Sequence, residues 1–405
     1  MAQNLLVAQS GGPTAVINSS LCGVIEEALQ QAKIKGIYGA VNGILGVLNE
    51  ELVDLHQEDP SSIRKLRRTP SAALGSCRYK LSEHDFKRLI EVFAAHDIGY
   101  FLYAGGNDSM DTAHKVAKLA ADEKYDLRVI GVPKTVDNDL LITDHCPGYG
   151  SVARFNAIAT RDSSLDTEAF CTFNTVKIIE TMGRDTGWIT ASAALARETE
   201  DSGPQLIYLP ERPFIVDKLL KDVKDVFDKL GGVTLCVCEG LKDETGEFLK
   251  ASKKKSDTDK FSHVQLGGVG QYLVNLISKK LQLKAVCDKP GTIQRVSMQC
   301  ASQIDIDEAY RVGQFALSKA VEGESDKMVI LKRKRNAPYY IETDLVELEE
   351  VALKTKMVPD RFINSDSNYV TQEFADYAMP LIGEPLPEYA RLRKITMDKK
   401  LPPYH

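Results

Sequence analysis

Residues 100–139 read YFLYAGGNDSMDTAHKVAKLAADEKYDLRVIGVPKTVDND, and the fold is decided by how this stretch is read. Residues 98–104 are a short apolar run ended by Gly105 and Gly106, and residues 127–132 are another ended by Pro133. Runs of this length closed by such residues read as buried strands followed by turns. Between them Met110, Ala113, Val116, Ala117 and Ala120 fall at helical spacing over residues 110–121. A strand, helix, strand unit this short makes a right-handed parallel crossover, so both turns leave the carboxyl ends of their strands. Gly105-Gly106-Asn107-Asp108-Ser109 and Pro133-Lys134-Thr135-Val136-Asp137-Asn138-Asp139 are therefore expected side by side at one sheet edge, where open α/β sheets bind ligands.

The same alternation extends outward. Residues 5–8 read as a first strand, broken by Ser10-Gly11-Gly12-Pro13-Thr14 and followed by a helix carrying Val16, Ile17, Leu21, Val24, Ile25 and Leu29. Glycines at such a turn let backbone N–H groups approach an anion at the positive end of the helix, although they serve equally to bend the chain. No Lys-Ser or Lys-Thr follows at Walker A spacing. Residues 34–41 read as a second strand. In residues 61–78, Arg64, Lys65, Arg67 and Arg68 read as a solvated face, whereas Arg78 follows the small residues Gly75-Ser76-Cys77, which suit close approach to a ligand. Gly148-Tyr149-Gly150-Ser151-Val152-Ala153 matches a dinucleotide fingerprint in letters only, because it follows Cys146-Pro147 and not a strand.

A second half of βα type follows. Residues 175–180 are a β-rich run ending in Thr181-Met182-Gly183-Arg184-Asp185-Thr186-Gly187-Trp188 and an alanine-rich helix through Ala196. Residues 205–209, a helix from about 214–230 and residues 232–238 ending at Glu239-Gly240 continue the pattern. Residues 242–259 read as a polar hairpin or loop, 266–281 as a helix, 291–296 as a strand carrying Arg295, 304–321 as a helix returning to the first half, and 327–332 with 339–346 as late strands. The expected fold class is α/β, with two Rossmann-like lobes of mainly parallel sheet flanked by helices and a C-terminal appendage. The larger lobe is expected to take residues 1–140 and 305–330, the smaller 141–304, and the appendage 331–405.

Composition bounds the function. A chain of 405 residues is long enough for two lobes, and its formal charge of −6, with both signs interspersed, gives no nucleic-acid or anionic-membrane surface. Eight cysteines occur without a CxxC pair, and Cys236-x-Cys238 places two thiols on one strand face, a core-packing pattern. This usage points to a reducing compartment and a cytoplasmic location. No apolar run reaches the ~18 residues that span a bilayer.

Collected at the strand ends are a glycine turn, Arg78, Asn107, Asp108, Lys134, Asp137, Asp139, Arg184, Glu239 and Arg295. Cations and backbone donors suited to phosphates thus lie beside carboxylates suited to a metal or a proton, which is what phosphoryl transfer requires. Gly105-Gly106-Asn107-Asp108-Ser109, the 133–139 turn, Met182-Gly183-Arg184, Cys238-Glu239-Gly240 and Ile293-Gln294-Arg295, in this order after the N-terminal glycine turn, resemble the phosphofructokinase family over roughly the first 320 residues. The resemblance implies two α/β lobes, the larger binding the donor and the smaller the sugar phosphate, and transfer of a phosphoryl group to the 1-hydroxyl of fructose 6-phosphate.

Carried onto this chain, the resemblance makes Asp137 the catalytic base, with Thr135 and Asp137 at the reacting end of the sugar. Met182, Gly183, Arg184 and Glu239 match sugar-phosphate contacts, and Arg295 matches an arginine on the 6-phosphate. Thr292 stands three residues earlier, where members carry an aromatic residue or histidine. Gly12 and Arg78 match donor-phosphate contacts, Asp139 the second acid of its turn, and Arg184 also matches a stabiliser of the transferring phosphoryl group. A carboxylate base of ordinary pKa suffices if the hydroxyl is held in line.

Asp108 and Lys134 stand where ATP-using members have glycines, a pair similar to the signature of the family's pyrophosphate-dependent branch. A side chain at Asp108 would crowd and repel a nucleotide's α-phosphate, whereas Lys134 supplies a compact charge for a small anionic donor. Both are expected to act in catalysis. Where members commonly hold Mg²⁺ with an aspartate this chain has Asn107, so Mg²⁺ is expected on donor oxygens, water, Asp108 and a neutral Asn107 oxygen. An arginine that some members lend across a subunit interface falls near Thr175, with Lys177 two positions on, and a homodimer or homotetramer is expected. ATP as donor, sedoheptulose 7-phosphate as a further substrate, and a catalytically weak sugar-phosphate-binding subunit remain the alternatives.

Overall fold

Unbroken apolar runs form strands covered on both faces. The strand β4 (Ile98–Gly105) is buried at every position, as expected of a parallel sheet with helices on both sides. The computed structural model describes residues 3–170, 175–249, 267–393 and 395–401. Among these, β1 (Gln3–Gln9), β2 (Ile34–Ala40), β3 (Leu52–Asp54), β4, β5 (Arg128–Pro133), β10 (Lys327–Asn336) and β11 (Tyr339–Glu347) form a seven-stranded sheet in the order β11-β10-β5-β4-β1-β2-β3. The strands β6 (Val176–Thr181), β7 (Leu206–Tyr208), β8 (Val233–Cys238) and β9 (Ala285–Asp288) form a four-stranded parallel sheet in the order β7-β8-β6-β9. Only the outermost pairs of the larger sheet, β2 with β3 and β10 with β11, run antiparallel.

Alternation along β1 sends Leu5 and Val7 into one core and Leu6 and Ala8 into the other, so the larger sheet separates two apolar layers. The Asn107–Asp122 helix packs Met110, Ala113, Val116, Ala117 and Ala120 onto it, as their spacing predicts. No helix among the described residues is long and apolar enough to cross a membrane.

Two expectations change. Residues 291–296 hold one helical turn, Ile293–Val296, and the strand is β9 just before it. Pro290 followed by Gly291 at φ +60° ends β9 and redirects the chain before another strand can start. The expected appendage begins at residue 331, inside β10, and β11 completes the larger sheet. The chain then supplies Val358, Phe362, Phe374 and Leu381 to a core shared with Val136, Trp188 and Cys236, so this segment packs between the elements bearing the site. Of residues 242–259, an antiparallel bridge joins Lys242 to Phe248. The part beyond residue 249 lies outside the described residues, as does Leu266, and the helix expected over 266–281 is described as Val269–Leu281.

Candidate active site

Register sets the site. Gly105 pairs with Pro133 across β4 and β5, and Gln9 with Ala104 across β1 and β4. The Ser10 N–H donates to Ala104 O at 2.8 Å and the Lys134 N–H to Gly105 O at 3.0 Å, so three turns leave the sheet edge level with one another. From its turn the buried Lys134 reaches back to the glycine turn, where Nζ donates to Gly12 O at 2.9 Å. Gly11 has φ +74°, and a Cβ at Gly12 would lie 2.6 Å from Arg295 Nη1. The turn therefore needs glycine both for its backbone angle and for the approach of a guanidinium.

Gly11, Gly12, Ser76, Cys77, Arg78 and Arg295 line a cleft of about 320 Å³. Arg295 is anchored here through its carbonyl, which accepts from Ala15 N–H at 2.8 Å. Its guanidinium thus faces the glycine turn beside Arg78, so the residue whose match is a 6-phosphate contact stands next to the two whose matches are donor-phosphate contacts. Thr292 caps the short helical turn from an exposed position, its carbonyl accepting from Arg295 N–H.

The acid turn is built by its own side chains. Thr135 Oγ1 accepts from Asp137 N–H at 3.1 Å, and Asn138 takes φ +54°, a region that asparagine tolerates. Burial pushes the Asp137 carboxyl well above the ordinary carboxylate range, helped by Asp139 and Glu239 and opposed by Arg184 and Lys134. Burial, with Arg295 next, pulls the Lys134 ammonium down to about 7, against Asp137 and Asp139. A base of ordinary pKa is therefore not what the fold provides. It provides an acid and an amine whose ranges burial brings together, a pattern of sites that handle protons and anions near neutrality.

The same turn offers oxygens to a cation. Asn107 Nδ2 donates to Asp139 Oδ2 at 3.0 Å. This leaves Asn107 Oδ1, Asp137 Oδ1 and Asp139 Oδ1 buried without a protein hydrogen-bond partner. Hard oxygen donors of this kind fit Mg²⁺, and Asp108 stands beside them in the first turn of its helix. Asp139 thereby joins Asn107 and Asp108 as a candidate ligand. Among the described residues no group of three or more histidine, cysteine, aspartate or glutamate side chains is placed to hold a metal ion.

The facing turns come from the smaller sheet, where Thr181 pairs with Cys238 and Glu239 N–H donates to Thr181 O at 3.0 Å. Arg184 has φ +53°, and its carbonyl comes so close to Gly240 that a Cβ there would lie 1.5 Å away. The Cys238 thiol donates to Arg184 O, which gives this buried cysteine a turn-holding task. Burial, above all, raises the Glu239 carboxyl, and Lys289 and Arg184 oppose it. Thr186 Oγ1 lies 3.2 Å from Asp137 O, joining the two groups of turns. Asp137 thus lies within electrostatic reach of Lys134, Asp139, Arg184 and Glu239, and Arg295 within reach of both Asp137 and Arg78.

A family model described as Phosphofructokinase matches residues 4–318 of this chain. The chain belongs to the phosphofructokinase family. It is 43% identical over 420 residues to the pyrophosphate–fructose 6-phosphate 1-phosphotransferase of Halomonas elongata, covering 100% of both chains. It is 42% identical to the enzyme of the same name from Xanthomonas campestris pv. campestris, covering 98% of each. A crystal structure of pyrophosphate-dependent phosphofructokinase from Nitrosospira multiformis superposes with a TM-score of 0.87 at 41% identity, covering 100% of both chains.

Within this phosphofructokinase site, sequence reading passed over two residues. Gln294 Oε1 accepts from Met182 N–H at 3.4 Å, tying the Met182–Gly187 turn to the turn that carries Arg295. It stood inside a quoted motif, but nothing in that motif marked it as a linker. Lys356, far along the chain, holds the acid turn from behind, and no motif surrounds it.

Proposed function

We propose that this chain transfers a phosphoryl group from pyrophosphate to the 1-hydroxyl of fructose 6-phosphate, giving fructose 1,6-bisphosphate and phosphate, in a reversible step of glycolysis and gluconeogenesis. The observation that carries the reading is the Lys134 ammonium, set 2.9 Å from Gly12 O between the glycine turn and the acid turn, with Asp108 in the first turn of the neighbouring helix. A compact cation at that depth suits a short, highly charged donor. A carboxylate in the first turn of that helix disfavours a nucleotide's α-phosphate by like-charge repulsion.

In the forward direction Asp137 accepts the proton of the 1-hydroxyl as the hydroxyl oxygen attacks the terminal phosphorus of pyrophosphate. The bond from that phosphorus to the bridging oxygen breaks, and inorganic phosphate leaves with its electron pair. Lys134, Arg78 and Arg295 offset the donor's charge, and Arg184 that of the transferring group. Met182, Gly183 and Glu239 hold the sugar so that its hydroxyl stays in line. Asn107, Asp108 and Asp139 would hold Mg²⁺, which when bound neutralises donor oxygens.

We further assign the chain to a cytoplasmic homodimer or homotetramer. The described cysteines are free thiols, which supports a reducing compartment. Assaying purified protein with fructose 6-phosphate and either pyrophosphate or ATP tests the reaction. Turnover with pyrophosphate far above that with ATP is expected, and a clear preference for ATP would overturn the donor assignment.

A further inference from the structure

We propose that Lys356 is a positioning residue for the phosphoryl transfer: from the C-terminal segment it pins the acid turn of the larger sheet to the Arg184 turn of the smaller one. This inference rests on the reaction proposed above. Lys356 lies in the loop after the Leu348–Val351 helix. Its N–H donates to Asp139 O at 2.8 Å, and its carbonyl accepts from Trp188 Nε1 at 2.9 Å. Trp188 opens the short helix that directly follows the Met182–Gly187 turn. One residue therefore grips a backbone atom of the acid turn and the first side chain beyond the sugar-side turn.

The side chain adds a second grip. The ammonium donates to Asn138 Oδ1 at 3.2 Å, Thr143 O at 3.2 Å and Asp144 O at 3.0 Å. A lysine has three protons to give, and three oxygens from the one segment following the catalytic carboxylate receive them. Asn138 is the residue whose positive φ turns the chain between Asp137 and Asp139. Apart from Lys356, its side chain is held by Cys146 N–H and the Tyr377 hydroxyl. Removing the ammonium would leave Asn138 Oδ1 short of a donor and take the charge from beneath the turn that aims Asp137. Lys356 makes no contact with Asp137, and its ammonium is turned into the 138–144 segment, so its role is to position.

Lys356→Met keeps the stem and deletes the ammonium. The expected result is a kcat lowered roughly 30-fold, with KM for both substrates within about threefold of wild type, because misplacing a base costs rate more than ground-state binding. Asn138→Gly, which accepts the positive φ but lacks the acceptor, is expected to show a comparable fall. In the double variant the loss should fall short of the product of the single losses, since the two changes share the Lys356 Nζ–Asn138 Oδ1 contact. Trp188 is the chain's lone tryptophan and its ring centre lies 5.2 Å from Lys356 Nζ, so its emission should shift in Lys356→Met independently of turnover.

Wild-type turnover of pyrophosphate in the same assay separates failure of this inference from failure of the proposed reaction. The inference is overturned by a kcat within about threefold of wild type in folded Lys356→Met, whatever its melting temperature, or by a loss confined to KM. It is equally overturned by unchanged Trp188 emission, or by a double-variant loss equal to the product of the single losses. Should Lys356→Met fail to accumulate as folded protein, Asn138→Gly carries the test against the same kcat threshold.

Discussion

Lys134→Met is the perturbation whose size follows most directly from the site. The ammonium is buried, its one protein hydrogen bond goes to Gly12 O, and Arg78 and Arg295 stand on the same side. A donor phosphate bound against the glycine turn would approach it to about 4 Å, where a pair of unit charges at an effective dielectric near 20 is worth about 4 kcal/mol. Part of that is offset, because free Lys134 sits at about 7 and must be fully protonated for the donor to gain it. A loss of about 100- to 1000-fold in kcat/KM for pyrophosphate is expected, with KM for fructose 6-phosphate moving less than about threefold. The sign with pH follows. The donor's negative charge favours the protonated amine, so pyrophosphate binding takes up a proton above about pH 7 and KM for pyrophosphate rises as pH rises through that value. In Lys134→Met this component of the slope should vanish. Steady-state kinetics from pH 6 to 9 on both proteins measure it. A loss under about tenfold, or one falling on the sugar's KM, would refute the placement of Lys134 under the donor.

Other substitutions test the remaining parts. Asp137→Asn should cut kcat by about 100- to 10,000-fold, as expected when a general base is removed. Because ionising the buried Asp137 carboxyl costs the folded state stability as pH rises from the ordinary carboxylate value through its raised one, Asp137→Asn should also melt later than wild type at pH 8, with the gain shrinking toward pH 4. An unchanged melting temperature at pH 8 would contradict the burial argument. Gly240→Ala places a Cβ 1.5 Å from Arg184 O, a backbone clash that should cost about 1–3 kcal/mol in urea unfolding and raise KM for fructose 6-phosphate while sparing that for pyrophosphate. Asn107→Ala removes the buried Oδ1 and the hydrogen bond that Nδ2 donates to Asp139, so the Mg²⁺ concentration giving half-maximal turnover should rise by about tenfold or more.

Much of the site was legible in the sequence because a parallel sheet writes its ligand edge into the chain as apolar runs stopped by glycine, proline and acids. Gly105 and Pro133 end their runs and prove to be register partners, and Thr181 and Cys238 do the same in the smaller sheet. What stayed hidden has a common physical origin. Lys356 and Gln294 act on backbone N–H and C=O groups of distant turns, and a main-chain partner leaves no residue pattern to read. Arg295 carries its motif but not its direction, which is fixed by Ala15 N–H holding its carbonyl at the glycine turn. The C-terminal aromatics Phe362, Phe374 and Tyr377 sit in short helices without periodicity, although they pack around Trp188 behind the acid turn. The raised Asp137 and lowered Lys134 likewise come first from burial, which the fold sets and the neighbouring letters do not, although Asp139 adds to the shift of Asp137.

Donor choice tests the central claim most directly: kcat/KM of the purified wild-type chain for pyrophosphate and for ATP at saturating fructose 6-phosphate, compared with the double variant Asp108→Gly/Lys134→Gly. A strong wild-type preference for pyrophosphate that collapses in the variant is expected. A wild-type preference for ATP, or a variant that keeps its use of pyrophosphate, would contradict it.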